Sequence, residues 1–221
     1  MDFYGTLVGG EPPIEEICRR AVDQYHLPLL PQQLCAAWNK GFFAALDGCN
    51  NHHFRTMHRI NCDSLRDCVN ALASRDIDPE PFAAALDEWL CQAPVFEETN
   101  EVLAEIRRRG IRVWVVSNAD QDHALKTLES QRLRVDGIVT SESARSYKPD
   151  AGIFRQALEQ TGWSPQHVIH VGDSLLHDVG GAQALGMKAV WLCRNTPPEQ
   201  VRTIRPDHRI TNLRGLLPLL A

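Results

Sequence analysis

The sequence has no C-x-x-C pair, no block of basic residues, no membrane-length apolar run and no repeated or low-complexity segment. Each absence removes a class of protein. The seven cysteines (18, 35, 49, 62, 68, 91 and 193) are odd in number and scattered through apolar helical stretches. They read as reduced, buried thiols rather than a disulfide framework; a zinc site would need clustered ligands at characteristic spacing. With a net charge of −5 and no basic patch, nucleic acid and anionic membranes are unexpected partners. No apolar run approaches the roughly 18 residues of a membrane span, and no basic segment precedes an apolar one at the N-terminus. The expectation is a soluble, cytoplasmic monomer or homodimer acting on a small molecule, with no nucleic-acid or membrane partner.

The chain has 221 residues, 43% of them hydrophobic, enough for one domain with a large insertion. Two breaker clusters divide it: Gly9-Gly10-Glu11-Pro12-Pro13, and the stretch from Cys91 to Phe96 around Pro94. Between them only helical periodicity is present: 14–25, 34–46, 65–72 and 82–90. After Thr99, helices alternate with short apolar strands expected at 111–116, 137–140, 167–171 and 189–193. The intervening helices are expected at 99–109, 120–130, 151–161 and 175–185. This alternation predicts right-handed βαβ units and an α/β fold with a doubly wound, Rossmann-like parallel sheet. Residues 1–12 and 92–221 form the α/β core in this reading, and residues 13–91 an inserted all-helical cap.

Four short motifs sit at the ends of the expected strands or the starts of helices. They are Asp2-Phe-Tyr-Gly-Thr6, Val116-Ser-Asn118, Lys148-Pro149, and Gly172-Asp-Ser174 with Asp178. In an open parallel sheet, ligands bind beyond the carboxyl ends of the strands, so topology brings these distant residues to one edge. Their chemistry is that of an anion- and metal-binding pocket.

Set in this order, the motifs resemble those of the haloacid dehalogenase superfamily, in the branch with a helical cap inserted after the first motif. The runs Val116-Ser-Asn-Ala-Asp120, Tyr147-Lys-Pro-Asp-Ala-Gly-Ile-Phe154 and His170-Val-Gly-Asp-Ser-Leu-Leu-His-Asp-Val-Gly-Gly-Ala182 carry the resemblance, which covers nearly the whole chain. It implies that Asp2 is a nucleophile attacking phosphorus in line. It implies that Thr6, Ser117 and Asn118 bind the substrate phosphate, and that Lys148 offsets the repulsion between Asp2 and that dianion. One like-charge pair at 4 Å costs roughly 4 kcal/mol at an intermediate dielectric. The ligands implied for Mg²⁺ are Asp2, the Tyr4 carbonyl and Asp173, with Asp178 orienting waters or Lys148. Read without the resemblance, Ser117, Asn118 and Asp120 are also ordinary helix caps, and Gly172-Asp-Ser174 an ordinary strand-to-helix turn.

Two departures matter. The family's phosphatases usually carry Asp at the position of Tyr4, as general acid and base. A phenol can donate a proton but is a poor base near neutral pH. Dehalogenase members often carry Tyr there, need no metal and tend to lack the acid found at Asp173. Tyr4 therefore points to a metal-independent 2-haloacid dehalogenase, and Asp173 with Asp178 to a magnesium-dependent phosphohydrolase. The three carboxylates require a cation, so the phosphohydrolase is the leading expectation. The second departure is that only Met1 precedes Asp2, so the first strand reads as truncated. Either the natural chain starts upstream or this form is a marginal or binding-only relative.

In the cap, Trp38, Phe42, Arg55, His58 and Arg59 are candidates to face the substrate. Trp38 and Phe42 also fit cap core, and Arg55 with Arg59 a solvated face. His52 and His53 take no role. His123 caps or packs, and His177 lies beside Asp178 without a direct catalytic part.

Overall fold

Proline and glycine place the helices of the insertion. Pro31 opens the helix over 31–46 and Pro81 sits in the first turn of the helix over 80–90, where a missing amide costs nothing. The structure, a computed structural model, describes residues 1–194 and 204–220. Its insertion comprises α1 (Ile14–Gln24), α2 (Pro31–Leu46), α3 (Met57–Ala73) and α4 (Glu80–Leu90). Ile17, Leu34, Trp38, Leu65, Val69 and Phe82 form its own apolar core. Helix α3 begins eight residues before the expected 65–72 segment. Its N-terminal half is polar in sequence, and Thr56 caps it by accepting from the Arg59 amide.

The remainder alternates helix and strand: α5 (Thr99–Arg108), β1 (Trp114–Ser117), α6 (Gln121–Ser130), β2 (Gly137–Thr140), α7 (Ser141–Ala144), α8 (Ala151–Thr161) and β3 (Ile169–Gly172). A π-helical turn over Leu175–Gly180 runs into α9 (Gly181–Gln183), followed by β4 (Lys188–Leu192) and β5 (His208–Ile210). All pairings between these strands are parallel, as the βαβ pattern predicts.

The hydrogen-bonded strands fall into two groups, β1 with β2 and β3-β4-β5. The first two residues of the chain join them. The Val116 amide donates to the Met1 carbonyl and the Asp2 amide to the Val171 carbonyl, both at 2.8 Å. The Met1 nitrogen donates to the Trp114 carbonyl at 2.7 Å. Met1 and Asp2 thus occupy one strand position, and the sheet reads β2-β1-(1–2)-β3-β4-β5. Below Met1 that position is a cavity of about 790 Å³, lined by Trp114, Val116, Phe154, Leu158, Ile169 and Met187 among others.

This gap accounts for one misplaced boundary. A strand was expected over 111–116, yet β1 begins at Trp114, level with Met1. Residues 111–113 have the cavity where a ladder partner would stand. A second difference lies at 175–185, expected as one α-helix. A π-helical turn takes its first half, and there Asp178 folds back on β3: a Cβ on Gly172 would run into the Asp178 carboxyl carbon. Such widened turns collect at functional sites. Strand β5 and the short helix Leu213–Leu219 had no clear sequence signal.

Candidate active site

The site forms where Asp2, Ser117 and Gly172 end their strand positions. Gly5 makes the turn that follows Asp2, with φ +87°, and a Cβ there would lie 2.5 Å from an Asp173 carboxylate oxygen. Glycine is needed at 5 both for that conformation and for the approach of Asp173.

Lys148 is the hub. Its Nζ donates to Asp2 Oδ1 and to Asp178 Oδ1, both at 2.6 Å, and all three groups are buried. Asp178 Oδ1 also faces His170 Nε2 at 3.1 Å, and its Oδ2 accepts from the Ser174 amide at 3.0 Å. Thr6 Oγ1 donates to Asp2 Oδ2 at 3.0 Å. Asp173 completes the group: oxygens of Asp2, Asp173 and Asp178 all lie within 4.8 Å of one another.

One lysine among three carboxylates leaves negative charge in excess, and the acidities divide accordingly. Burial works against ionised Asp178, but Lys148 and His170 hold it well below the usual carboxylate range. Burial, with Lys148 opposing and Asp178 adding, raises Asp2. Burial disfavours the Lys148 ammonium, but the charges of Asp178 and Asp2 outweigh it and raise the lysine. Surrounding protein, then Asp2 and Asp178, push Asp173 up to about 7. Its side chain is open to solvent, beside the two carboxylates that disfavour its ionisation. His170, buried, is pushed down to about 4 and stays neutral at pH 7.

The remaining expected residues divide. Ser117 is buried at the strand end, and its hydroxyl takes no protein partner among the described residues. Asn118 uses both ends of its amide on Lys148: Nδ2 donates to the Lys148 carbonyl at 3.1 Å and Oδ1 accepts from the Lys148 amide at 2.7 Å. It ties the second motif to the backbone of the lysine. The Thr6 hydroxyl likewise faces Asp2. The Tyr4 hydroxyl does not join the group. It meets Thr127 Oγ1 at 3.1 Å and the Leu90 carbonyl at 3.4 Å, and burial pushes its pKa up to about 12. Tyr4 was expected to act through its side chain; its hydroxyl is tied to the end of α4 and to α6, apart from the Asp2 carboxylate.

In the cap, the Trp38 indole donates to the Asn61 carbonyl within the cap core. Phe42 packs beside the Cys49–Ile60–Tyr147 cluster, and Arg55 and Arg59 pair with Asp63. His58 faces Asp87 and Glu80 rather than the carboxylate pocket. His123 lies 3.7 Å from Asp87, and His177 meets Ser174.

Two residues that contact the group carried no assignment in the sequence. His170 stands inside a quoted motif, but a histidine on a strand reads as core. Arg194 follows β4 outside any motif. Its guanidinium donates to the Gly5 and Thr6 carbonyls at 3.4 and 2.8 Å, pairs with Glu98 at 2.7 Å and lies 3.6 Å from the Phe96 ring centre. It holds the loop after Asp2 from behind.

The family model for haloacid dehalogenase-like hydrolases matches residues 1–186. The chain belongs to that family. Within these hydrolases, it is 37% identical over 129 residues to haloacid dehalogenase-like hydrolase domain-containing protein 3 of Mus musculus, covering 57% of this chain and 51% of that protein. It is 34% identical over 123 residues to the phosphoserine phosphatase of Thermus thermophilus, covering 55% and 49%. The chain thus spans about half the length of these relatives. A third relative is matched end to end: (S)-2-haloacid dehalogenase 4A of Burkholderia cepacia, 27% identical over 234 residues, covering 100% and 93%. A dehalogenase crystal structure shares the fold, with a TM-score of 0.76 and 21% identity over 100% of this chain and 95% of that one. The protein is a hydrolase of this family with an α/β fold. No helix among the described residues is long and apolar enough to cross a membrane.

Proposed function

We propose that this hydrolase removes phosphate from a small phosphorylated molecule with the help of Mg²⁺. The observation that carries the reading is the convergence of Asp2, Asp173 and Asp178, with carboxylate oxygens within 4.8 Å of one another and a single lysine to balance them. An all-oxygen donor set matches a hard cation such as Mg²⁺. Asp178 accepts from Lys148 and Ser174 and faces His170; Asp173, whose side chain is open to solvent, would be a ligand together with Asp2, which accepts from Lys148 and Thr6, and the Tyr4 carbonyl would join them. Bound there, the ion would offset charge on the phosphoryl oxygens and on the carboxylates.

The protein's own groups supply the rest. Asp2 attacks phosphorus in line, forming an aspartyl phosphate as the P–O bond to the leaving group breaks. Thr6 and Lys148 fix the direction of its carboxylate, and Lys148 stabilises charge on the transferred group. The Ser117 hydroxyl is the open donor for a phosphoryl oxygen. Water then attacks the aspartyl phosphate and regenerates Asp2. The position of Tyr4 leaves no side-chain carboxylate to protonate the leaving group, so substrates with good leaving groups react best.

A second reading rests on Tyr4 and on the end-to-end match to a 2-haloacid dehalogenase. In it Asp2 attacks carbon, halide departs and no metal is needed. A panel of phosphate esters and 2-chloropropionate, each with and without EDTA, separates the two. EDTA-sensitive phosphate release supports the phosphohydrolase. EDTA-insensitive chloride release overturns it in favour of the dehalogenase.

A further inference from the structure

A second group of ligand-type side chains lies in the cap, away from the carboxylate pocket. His58 and Cys62 stand four residues apart on one face of α3, and Glu80 reaches them from the first turn of α4. Cys62 Sγ is 3.6 Å from His58 Nε2 and 3.6 Å from Glu80 Oε2, and His58 Nε2 is 3.2 Å from Glu80 Oε2. Zinc bonds of about 2.0–2.1 Å to nitrogen, 2.3 Å to sulfur and 2.0–2.2 Å to oxygen, at tetrahedral angles, set sulfur about 3.6 Å from nitrogen and from oxygen. They set nitrogen about 3.4 Å from oxygen. The three side chains already trace one face of that tetrahedron.

A separate observation concerns the far side of the imidazole. Asp87 Oδ2 lies 2.5 Å from His58 Nδ1. A carboxylate at Nδ1 fixes the tautomer that leaves Nε2 as a lone-pair donor, the arrangement found behind metal-bound histidines. Asp87 is buried, and its other oxygen faces His123 at 3.7 Å. Two carboxylates and a thiol thus surround one imidazole. The donor set of one sulfur, one nitrogen and one oxygen suits a borderline cation and not Mg²⁺.

We propose that His58, Cys62 and Glu80 form a zinc-class metal site that joins α3 to α4 at the base of the cap, with Asp87 orienting His58. Glu80 is exposed, so the fourth position faces solvent and takes a water. Loading exchanges protons for the ion. Cys62 binds as thiolate and His58 as neutral imidazole, so the protons these groups carry leave as the ion enters. The site stands where α3 meets the core: the Met57 and His58 amides donate to the two Asp120 oxygens at 2.7 and 2.8 Å.

The test is a Co²⁺ titration of the metal-stripped full chain, with Mg²⁺ in excess to occupy the carboxylate pocket. One equivalent should produce a thiolate-to-cobalt charge-transfer band and intense tetrahedral visible bands, and Zn²⁺ should bleach both. The charge-transfer band should vanish in Cys62→Ser. Because that buried substitution can disturb folding, Asp87→Asn provides the second arm: the band should remain while affinity falls about ten- to a hundredfold. No band in the wild-type protein, the same band in Cys62→Ser, or an unchanged affinity in Asp87→Asn overturns the proposal.

Discussion

At the upper end of the position held by Met1 and Asp2, the Asp2 carboxylate sits in a crowded ionic network. At the lower end, one residue away, the sheet faces an apolar cavity of about 790 Å³. The polar end is densely paired: Lys148 donates to Asp2 and Asp178, Thr6 to Asp2 and the Ser174 amide to Asp178. The apolar end leaves neighbouring side chains without contacts. The contrast places a dense polar network and a largely apolar wall at the two ends of one strand position. Three backbone hydrogen bonds, to Trp114, Val116 and Val171, fix Met1 and Asp2, and side chains from three other loops do the rest. Local precision at the pocket and cohesion of the sheet below it are separable properties.

The largest expected effect tests the polar end. Asp2→Asn should reduce turnover on the order of 10⁴-fold or more, as loss of a nucleophile does. Residual activity within tenfold of wild type would remove Asp2 from the chemistry. Next is Lys148→Met, which leaves Asp2 and Asp178 buried without their cation. It should cost about 3–5 kcal/mol in urea unfolding, part of it recovered by Mg²⁺. A cost no larger than that of an exposed lysine would show that the network does not hold the two loops.

The third test is pH. His170 has a folded-state pKa near 4, below its ordinary 6.5. The unfolded chain therefore binds a proton first, and stability is lost as pH falls from about 6.5 toward 4, by roughly 2–4 kcal/mol. His170→Gln should flatten that slope. Asp173 runs the other way: raised to about 7, it lowers stability as pH climbs from about 4 to 7 in the absence of a cation. Stabilisation by Mg²⁺ should consequently grow over that interval, and a Mg²⁺ effect independent of pH would exclude Asp173 as a ligand.

The fourth test addresses the apolar end. Joining about five valine- or isoleucine-rich residues ahead of Met1 continues its strand by about 16 Å. Burial of their side chains, less the entropy of ordering them, should give about 2 kcal/mol, or about 4–8 °C in melting temperature. No rise would mean that the cavity rejects a strand. The smallest effect belongs to Tyr4→Phe. It removes the hydroxyl contact with Thr127 and should cost about 0.5–1.5 kcal/mol with turnover within tenfold of wild type. A drop of 10²-fold or more would return the phenol to proton transfer.

The parts of the fold that were legible in sequence are those with strong local signals. Ala151–Thr161 and Gly137–Thr140 are found at their expected bounds because Asp150 caps the first, Gly162 ends it, and the second is a short apolar run. The ends of β1 were not legible, since its ladder depends on a neighbour more than a hundred residues away in sequence. The pocket was legible as a set of residue types, because motif order and topology place Asp2, Lys148, Asp173 and Asp178 together. Their division of labour was not. That Asn118 grips the Lys148 backbone, or that Tyr4 turns to the hinge, depends on side-chain direction, which spacing does not encode. His58 and Cys62 show the same limit: an i, i+4 pair is visible in sequence, while Glu80 arrives from another helix.

Asp120 accepts the leading amides of α3 with both of its oxygens, and it lies three residues after Ser117 on the loop that also carries Asn118. The loop that steadies the lysine therefore also anchors the first turn of α3. A substitution that loosened residues 118–120 would be felt at both places at once, which makes this short segment a single joint.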